Sequence, residues 1–390
     1  MINKLETQVI VIGGGATGTA VLRDLSMRGL NAMLFERGNL SEGTTGNFHG
    51  LLHSGGRYAV KDQPAAKECI DEQVILCKIA PQAIEETGGF FVAIDDEDEE
   101  FLPLFLDGCA KVGIPTEVLN ATEALREEPE LCPKTRYAVS VPDGSIDGWD
   151  LCTGSVAAAK EHGARTFLFT PVTELLREDD RVIGIKAVDQ TCGDEYIVHA
   201  DYVVNAAGPW ADKIGALANI HIPMVLSKGT MVVLDSRPIR RVLNRCRYPS
   251  DGDIIVPVGT TIVLGTTSVT IDDPDHFGIE EWEVDKMLDQ CTEMLPVIDD
   301  MRMQRCYAGV RPLYEPPVDD ETTEEGREVS RAFFVLDHEK LDSVGGFVTI
   351  TGGKVCTARL MAERTVNLVC AKMGIEAPCR THLEPLPTAV

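Results

Sequence analysis

The sequence predicts an α/β fold, α+β overall, in which a Rossmann-like domain is interrupted by an antiparallel-sheet domain. One observation is an apolar strand, Val9–Ile12, that runs directly into a glycine-rich turn and a helical segment. Another is a group of β-branched segments between residues 223 and 267, which is typical of antiparallel strands. A third is the return of buried-strand character near the C-terminus, at Phe333–Leu336 and Phe347–Ile350.

The first part of the chain carries a dinucleotide fingerprint. Gly13, Gly15 and Gly18 follow the strand in G-x-G-x-x-G spacing, and Glu36 ends the next strand at the expected distance. Gly13 permits the tight turn, Gly15 lets the backbone approach a pyrophosphate, and Gly18 lets helix and strand pack closely. Glu36 can hold a ribose hydroxyl and would repel a ribose phosphate. Because strand, helix and acid accompany the glycines, the pattern favours dinucleotide binding over an ordinary glycine-rich turn.

The other elements follow from apolar periodicity and from the positions of glycine and proline. Helical patterns cover 20–27, 65–84, 102–112, 153–162, 280–294 and 357–373. Strand patterns cover 31–35, 90–94, 166–169, 172–176, 182–188, 196–199, 202–206, 223–234, 254–258, 261–267, 333–336 and 347–350. The three strands between residues 172 and 199 resemble a small antiparallel meander. The acidic segments Asp95–Glu100 and Asp319–Glu328 are predicted to be exposed loops.

These patterns divide the chain into two discontinuous domains, because 390 residues are too many for one small core. The nucleotide-binding domain is assigned to residues 1–85, 148–218 and 332–386. The cap domain is assigned to residues 86–147 and 219–331.

Composition excludes several classes of partner. The formal charge is −26, with 62 acidic and 36 basic residues, which argues against nucleic acid and against electrostatic binding to anionic lipid. The negative net charge does not exclude an anionic substrate, because a few cations that converge in a cleft outweigh a distant, screened acidic surface. The 12 cysteines form no C-x-x-C pair, so we expect reduced, mostly buried thiols, no iron–sulfur or other metal site, and a cytoplasmic location. We expect neither a secretory segment nor a membrane span, because the apolar run Val9–Ile12 is short and ends in glycines and no other apolar run is long enough to span a bilayer.

A second glycine- and hydroxyl-rich segment follows Glu36. Residues 41–47 offer hydroxyl and N–H groups to a pyrophosphate, and they lead into FHGLLHSGGRY at residues 48–58. There His53 supplies a proton-transfer group, Arg57 a fixed cation and Tyr58 a phenolic donor. By itself this segment fits a solvated loop, but its position beside the fingerprint indicates a site.

Two distant segments supply further cations. Arg311 lies between apolar residues in YAGVRPL, where it either projects into a cleft or forms a buried ion pair. Gly352, Gly353 and Lys354 lie between a strand and a helix, where exposed N–H groups favour an anion. Together Arg57, Arg311 and Lys354 can bind a phosphate dianion. The other basic candidates are expected to serve the packing or the surface of the cap: Lys228, Arg245 and Arg247.

Seven segments, taken in order, resemble the catalytic A subunits of anaerobic glycerol-3-phosphate dehydrogenases. They are GGGATG, NFHGLLHSGGRYAV, VPDGSIDGWDL, VVNAAGPW, NRCRYPSDGDIIVP, YAGVRPL and ITGGKVCTAR, and they span nearly the whole chain. That family belongs to a flavoprotein superfamily that includes D-amino-acid oxidase. The resemblance implies an FAD-binding domain with an inserted substrate-binding cap, and oxidation of sn-glycerol 3-phosphate to dihydroxyacetone phosphate by hydride transfer to the flavin.

The resemblance also implies roles for particular residues. The FAD-binding set is Gly13, Gly15, Gly18, Glu36, Thr44, Thr45, Asn47, His49, Gly50, Leu51, Val172, Ala207, Gly208, Gly352, Gly353 and Lys354. The substrate-binding set is Arg57, Tyr58, Arg311 and Lys354. His53 is the best candidate for the base by residue type, whereas Arg311 would orient the hydroxyl and stabilise developing alkoxide charge.

The resembled complex passes electrons through iron–sulfur partner subunits to a membrane quinone. The resemblance therefore implies electron-transfer and membrane-anchor partner subunits, and peripheral association with the cytoplasmic membrane. Two features depart from the family pattern. Ala358 occupies a position that is usually tyrosine, although the following Arg359 is kept. A cysteine-rich C-terminal domain, common in the family, is not among these 390 residues, which leaves open whether another chain supplies it.

Three other functions are compatible with parts of the pattern. An FAD-dependent 2-hydroxy-acid dehydrogenase or oxidase would also use an arginine pair, although the length of the matching motifs disfavours it. A noncatalytic flavin-binding or assembly subunit would keep the fingerprint without needing His53, Arg57 and Arg311 together. A nicotinamide enzyme would use the same fingerprint with a different cofactor.

Overall fold

The computed structural model describes residues 1–316 and 332–388. The chain forms two compact units, the first from residues 1–46, 148–227 and 310–390 and the second from 47–147 and 228–309. Residues 47–85 group with the second unit, although they were predicted to belong to the nucleotide-binding domain. The assignment of separate cofactor and substrate roles to two domains stays a prediction.

The strands are numbered in chain order. They are β1 Ile2–Ile12, β2 Ala32–Phe35, β3 Leu51–Leu52, β4 Ile84–Glu85, β5 Gly89–Ala93, β6 Glu117–Asn120, β7 Tyr137–Val141, β8 Gly144–Ile146, β9 Arg165–Phe167, β10 Val172–Glu178, β11 Arg181–Val188, β12 Glu195–Asn205, β13 Met224–Leu234, β14 Val242–Arg245, β15 Ile254–Val258, β16 Thr261–Gly265, β17 Val269–Ile271, β18 Met303–Tyr314, β19 Phe333–Asp337 and β20 Phe347–Gly352.

The helices are numbered in the same way. They are α1 Ala16–Met27, α2 Gln63–Ile79, α3 Asp96–Val112, α4 Ala121–Glu127, α5 Gly148–Glu161, α6 Ala211–Ala216, α7 Glu281–Met294, α8 His338–Leu341 and α9 Ala358–Met373. Short 3-10 turns lie between them, including Gly56–Tyr58 and Gly208–Trp210.

Parallel strands form the centre of the first unit, in the order β20-β12-β1-β2-β9. Val9 and Val11 pack into one core with α1 and α9, whereas Ile10 and Ile12 pack into a second core on the other face. A strand that is covered on both faces requires consecutive apolar residues rather than alternation. This sheet confirms the predicted Rossmann-like class.

The predicted meander is confirmed, because β10 pairs antiparallel with β11 and β11 pairs antiparallel with β12. The two strands predicted at 196–199 and 202–206 form the single strand β12 instead. The reason is that β1 begins at Ile2, and its first half pairs with residues 195–200 and holds them in line with residues 202–205.

The second unit contains the predicted antiparallel sheet, in the order β17-β13-β16-β15-β14-β5-β7-β6. The bounds of β15 agree with the prediction, and β16 ends at Gly265, two residues early. Strand β14 was not predicted. All four of its residues are buried, so it lacks the alternation of a half-exposed strand, and it pairs parallel with β5.

The prediction that Asp95–Glu100 forms a loop was wrong, although most of the segment is exposed, as predicted. Asp95 is the N-cap of α3, and its side chain accepts a hydrogen bond of 3.0 Å from the backbone N–H of Asp98. The acidic residues that follow occupy the first turn, where they interact favourably with the helix dipole. The other acidic segment, Asp319–Glu328, lies outside the described residues.

None of the twelve cysteines, all within the described residues, is part of a disulfide. Eight are buried, as expected, and Cys192 and Cys306 are exposed. Within residues 1–316 and 332–388, no helix combines the length and apolar character needed to cross a bilayer. The same ranges contain no group of three or more His, Cys, Asp or Glu side chains placed to hold a metal ion.

A buried histidine beside the parallel sheet makes the stability of the first unit depend on pH. His338 Nδ1 lies 2.7 Å from Asp342 Oδ2, and Nε2 lies 2.8 Å from Thr349 Oγ1. Burial lowers the pKa of His338 below its ordinary value of 6.5, and this outweighs the opposing effects of Asp342 and Asp337. The native protein therefore favours a neutral ring, and the unfolded chain binds the extra proton.

We expect unfolding free energy to fall as the pH drops below about 6.5, with His338 contributing up to ~1.4 kcal/mol per pH unit. Above about pH 6.5 the His338 ring is neutral in both the folded and the unfolded chain, so its contribution to the unfolding free energy no longer changes with pH. Urea unfolding between pH 5 and 7.5 should show a flatter pH dependence for His338→Gln than for the wild type. The control is His276→Gln, whose side chain is 85% exposed. An equal flattening in the control would contradict the role of burial.

Candidate functional site

A cavity of about 680 Å³ lies in the first unit. Several separated stretches of chain line it, and most of the predicted cofactor residues are among them. The lining includes Gly13, Gly15, Glu36, Thr44, Thr45, Val172, Ala207, Gly208, Gly352, Gly353 and Lys354. Its size is in the usual range for ligand pockets. Thus the fold brings together residues that are up to 341 positions apart, from Gly13 to Lys354.

The glycine turn has no space for side chains. Gly13 has a φ of +113°, and a Cβ there would lie 2.5 Å from Ala206 O. A Cβ on Gly18 would lie 1.9 Å from Gly13 O. Gly18 does not line the cavity, but it lets α1 begin directly behind the turn. These contacts explain why the turn needs glycine at both positions.

Glu36 closes the turn from the opposite side. Its carboxylate accepts hydrogen bonds from Gly14 N at 2.6 Å and from Gly38 N at 2.8 Å. The side chain is thereby fixed at the cavity wall at the end of β2. A fixed carboxylate there is suited to accept hydrogen bonds from ribose hydroxyls.

The hydroxyl-rich segment is tied to the same turn. Thr45 Oγ1 accepts a hydrogen bond of 3.0 Å from Ala16 N, at the start of α1. Thr44 Oγ1 donates to Val310 O at 2.5 Å. Both threonines line the cavity, so the predicted second contact loop begins beside the helix N-terminus.

The C-terminal turn follows β20 at the cavity. Gly352 and Gly353 have φ values of +79° and +71°, and a Cβ on either would lie within 2.4 Å of another atom. This left-handed backbone is favoured only by glycine, and it places Lys354 in the cavity lining. Cationic Lys354 at this wall can interact with an anionic group.

One aromatic and cationic part of the lining was not predicted from the sequence. The guanidinium carbon of Arg37 lies 3.9 Å from the centroid of the Trp210 ring. Both residues line the cavity, as does Lys213. Arg37 directly follows Glu36, and Trp210 follows the Ala207-Gly208-Pro209 turn, so their places beside two identified motifs were the available signal.

Four predicted FAD contacts belong to the second unit and are not in the lining of the cavity just described: Asn47, His49, Gly50 and Leu51. His49 Nδ1 accepts a hydrogen bond of 3.1 Å from Leu51 N, across Gly50 with a φ of +82°. Leu51 is buried and pairs with Ser145 of β8. Their roles in FAD binding stay predictions.

The predicted proton acceptor and its neighbours also lie in the second unit. His53 is buried, and its ring centroid lies 5.5 Å from that of Tyr58 and 5.8 Å from that of His49. Arg57 Nη2 lies 2.8 Å from Asp253 Oδ1. His53 and Tyr58 therefore lie close together, and Arg57 belongs to the same turn as Tyr58, Gly56–Tyr58.

Arg311 lies on β18 in the first unit, where its Nη1 donates a hydrogen bond of 3.1 Å to Ser227 Oγ. The side chain is half-buried. Arg311 and Lys354 belong to the first unit, and Arg57 belongs to the second. The expected convergence of these three cations on one phosphate stays a prediction.

The other basic candidates serve packing in the second unit, as expected. Buried Arg245 pairs with Asp95, Asp98 and Glu293 at 2.5–2.7 Å. Buried Lys228 pairs with Glu283 at 2.6 Å. Arg247 donates a hydrogen bond of 2.8 Å to Gln290 Oε1.

The lining fits an FAD molecule. Glycine N–H groups and the N-terminus of α1 suit a pyrophosphate, and fixed Glu36 suits a ribose. The cavity also extends to the turn at Gly352, which can approach a flat ring. A parallel sheet with this turn, acid and cavity defines a dinucleotide-binding protein.

Comparison with known proteins identifies the family. Residues 8–360 match the model of the FAD dependent oxidoreductase family. The A1 subunit of the anaerobic glycerol-3-phosphate dehydrogenase of Haloferax volcanii is 47% identical over 393 residues, covering 98% of this chain and 67% of that protein. The corresponding A subunit of Escherichia coli (strain K12) is 42% identical over 384 residues, covering 98% and 70%. The chain belongs to the FAD-dependent oxidoreductases and, among them, to the family of anaerobic glycerol-3-phosphate dehydrogenase A subunits.

Solved structures show the same fold. The glycerol-3-phosphate dehydrogenase of Bacillus halodurans, complexed with FAD, has a TM-score of 0.75 at 24% identity, covering 99% of this chain and 68% of that one. The L-alpha-glycerophosphate oxidase of Mycoplasma pneumoniae, with FAD bound, has a TM-score of 0.76 at 17% identity, covering 98% and 99%. The match of residues 8–360 to the FAD dependent oxidoreductase family assigns FAD as the cofactor of this chain, as the resemblance implied.

Proposed function

We propose that this chain oxidises sn-glycerol 3-phosphate to dihydroxyacetone phosphate. The observation that carries the proposal is the FAD-type cavity of the first unit in a chain that is 42–47% identical to relatives named for this activity. The predicted cations and His53 supply the remaining chemistry. Oxidation of an alcohol requires removal of a hydride from carbon and of a proton from the hydroxyl group.

FAD, when bound, supplies the two-electron acceptor; the residues of this chain hold the reactant and move the proton. Arg57, Arg311 and Lys354 supply positive charge for the phosphate, and Tyr58 donates a hydrogen bond. His53 accepts the hydroxyl proton, because imidazole changes its charge near neutral pH. Arg311 also stabilises negative charge that develops on the substrate oxygen.

The cofactor contacts that we propose extend beyond the cavity lining. Gly13, Gly15 and Glu36 hold the adenosine pyrophosphate half of FAD, while Gly18 supports the turn. Residues 44–51 approach the flavin half, together with the turn at Gly352–Lys354. Val172 contributes its backbone near the adenine, and Ala207 and Gly208 form the adjoining wall.

The electrons leave toward partner subunits and, through them, a membrane quinone. Support comes from the names of the relatives, which describe them as subunits of an anaerobic dehydrogenase. Association with such partners would place this chain at the cytoplasmic face of the membrane. The described residues contain no candidate iron–sulfur ligands in a cluster of their own.

Anaerobic reduction of the purified flavoprotein tests the proposed substrate. We expect sn-glycerol 3-phosphate to bleach the flavin absorbance, with one dihydroxyacetone phosphate formed for each flavin reduced. Glycerol, which lacks the phosphate, should be much less effective at equal concentration. Bleaching by a 2-hydroxy acid but not by glycerol phosphate would support the rival dehydrogenase. Failure of every alcohol, with dithionite still reducing the flavin, would support a noncatalytic role.

A further inference from the structure

A network of acceptors in the second unit contacts the guanidinium of Arg57. Asp253 Oδ1 lies 2.8 Å from Nη2, and Asn244 Oδ1 lies 3.4 Å from Nη1. The Asp253 side chain is 1% exposed and that of Arg57 is 12% exposed, so the pair is largely removed from water. These contacts restrict the guanidinium on one side.

The partners of Arg57 are themselves fixed. Asp253 Oδ2 accepts a hydrogen bond of 2.7 Å from Ser250 N. Asn244 Nδ2 donates to Asp143 Oδ2 at 3.1 Å, and Asp143 Oδ1 accepts from Ser54 N at 2.7 Å. The hydrogen bond to Asp143 turns the amide nitrogen of Asn244 toward that carboxyl group. The oxygen of Asn244 is therefore directed toward Arg57.

The ion pair between Arg57 and Asp253 is not a hydrogen bond. Asp253 Oδ1 is buried and has no hydrogen-bond partner among the described residues, although Nη2 is only 2.8 Å away. The N–H bonds of Arg57 are thus not aimed at this oxygen. The attraction holds the charged group in place and leaves its N–H bonds able to meet another acceptor.

We propose that Asp253 is a positioning residue that presents Arg57 to a phosphate group. The proposal rests on the proposed function only in naming glycerol phosphate as the source of that phosphate. An immobilised arginine has already lost its rotamer entropy on folding, whereas a free one loses it on binding. This loss corresponds to roughly a ten-fold change in affinity.

The test is a double-mutant cycle on the full-length flavoprotein, with Asp253→Asn and Arg57→Lys made singly and together. The probes are inorganic phosphate, by calorimetric Kd, and sn-glycerol 3-phosphate, by KM and kcat. We expect Asp253→Asn to raise Kd and KM by about ten-fold and to leave kcat within about three-fold. In the Arg57→Lys background the same substitution should change Kd and KM by less than about two-fold, because its effect acts through the guanidinium.

Asp253→Glu separates position from charge, because it keeps the carboxylate but moves it by one methylene. We expect it to weaken phosphate binding as well, and it serves as the second variant if Asp253→Asn does not fold. The control is Asp235→Asn, which removes the 3.5 Å partner of exposed Arg302. Flavin content should be unchanged in each variant.

Three results would overturn the proposal. The first is an equal effect of Asp253→Asn in the wild-type and Arg57→Lys backgrounds. The second is wild-type phosphate binding by both Asp253→Asn and Asp253→Glu. The third is tighter phosphate binding by Asp253→Asn together with wild-type binding by Asp253→Glu. The last result would mean that the carboxylate acts by repelling the anion. If phosphate binding shows the expected coupling but glycerol phosphate does not reduce the flavin, the positioning role stands and the proposed function fails.

Discussion

Replacing Arg311 with alanine is expected to lower kcat for glycerol phosphate oxidation by about 10²–10³-fold, because it removes a donor from developing negative charge. The side chain is half-buried, and its hydrogen bond to Ser227 Oγ at 3.1 Å holds it on β18. Anaerobic stopped-flow measurement of flavin reduction gives the rate of the chemical step directly. Arg311→Lys keeps the charge but not the planar fork, and we expect an intermediate rate.

The matched control for Arg311 is Arg302→Ala. The Arg302 side chain is 82% exposed and lies one residue before β18 begins. This variant should retain the wild-type rate, and both variants should retain their flavin. Near-normal turnover in Arg311→Ala would remove Arg311 from the proposed mechanism. A loss of flavin with the activity would instead assign the residue to cofactor retention.

Gly18→Ala is expected to weaken FAD binding by about 10–100-fold, which corresponds to ~1–3 kcal/mol of steric cost at the fingerprint turn. The added Cβ would lie 1.9 Å from Gly13 O, and that oxygen belongs to backbone, which cannot rotate away. Either α1 or the turn must shift, and both line the cavity. Titration of the apoprotein with FAD, followed by flavin fluorescence, measures the affinity.

Gly278→Ala provides the control for added side-chain volume. The nearest atom to a Cβ at that position is Glu280 Oε1, at 4.0 Å. This variant should bind FAD as the wild type does. Thermal unfolding of the two apoproteins separates a local effect on the turn from a general loss of folding. Wild-type FAD affinity in Gly18→Ala would show that the turn can open without affecting the cofactor.

Much of the fold could be predicted because local sequence and tertiary environment require the same residues. Val9–Ile12 is continuously apolar, and the structure covers both faces of that strand. The last helix was predicted to within one residue of its observed start, Ala358, and it ends before Gly374 in a left-handed conformation. Such boundaries depend on backbone chemistry near the boundary itself.

Other features depend on distant partners and could not be predicted in this way. Strand β14 has four buried residues with no periodic pattern, and its place is set by pairing with β5 and β15. The acidic residues after Asp95 suggested a loop, yet a cap and the helix dipole stabilise them in α3. Buried Asp98 is further paired with Arg245, 147 residues away.

The sequence by itself determined the turn chemistry: which residues are glycine, which strand ends in an acid, and which motifs match the dehydrogenase family. It also supplied His53, Arg57, Arg311 and Lys354 as the chemistry-bearing candidates. Only the tertiary structure decided that Gly13 and Lys354 line one cavity, that Arg37 stacks on Trp210, and that Arg57 is paired with Asp253. The physical reason is that glycine conformation is a local property, whereas cavities and ion pairs form between segments whose approach depends on packing of the whole sheet.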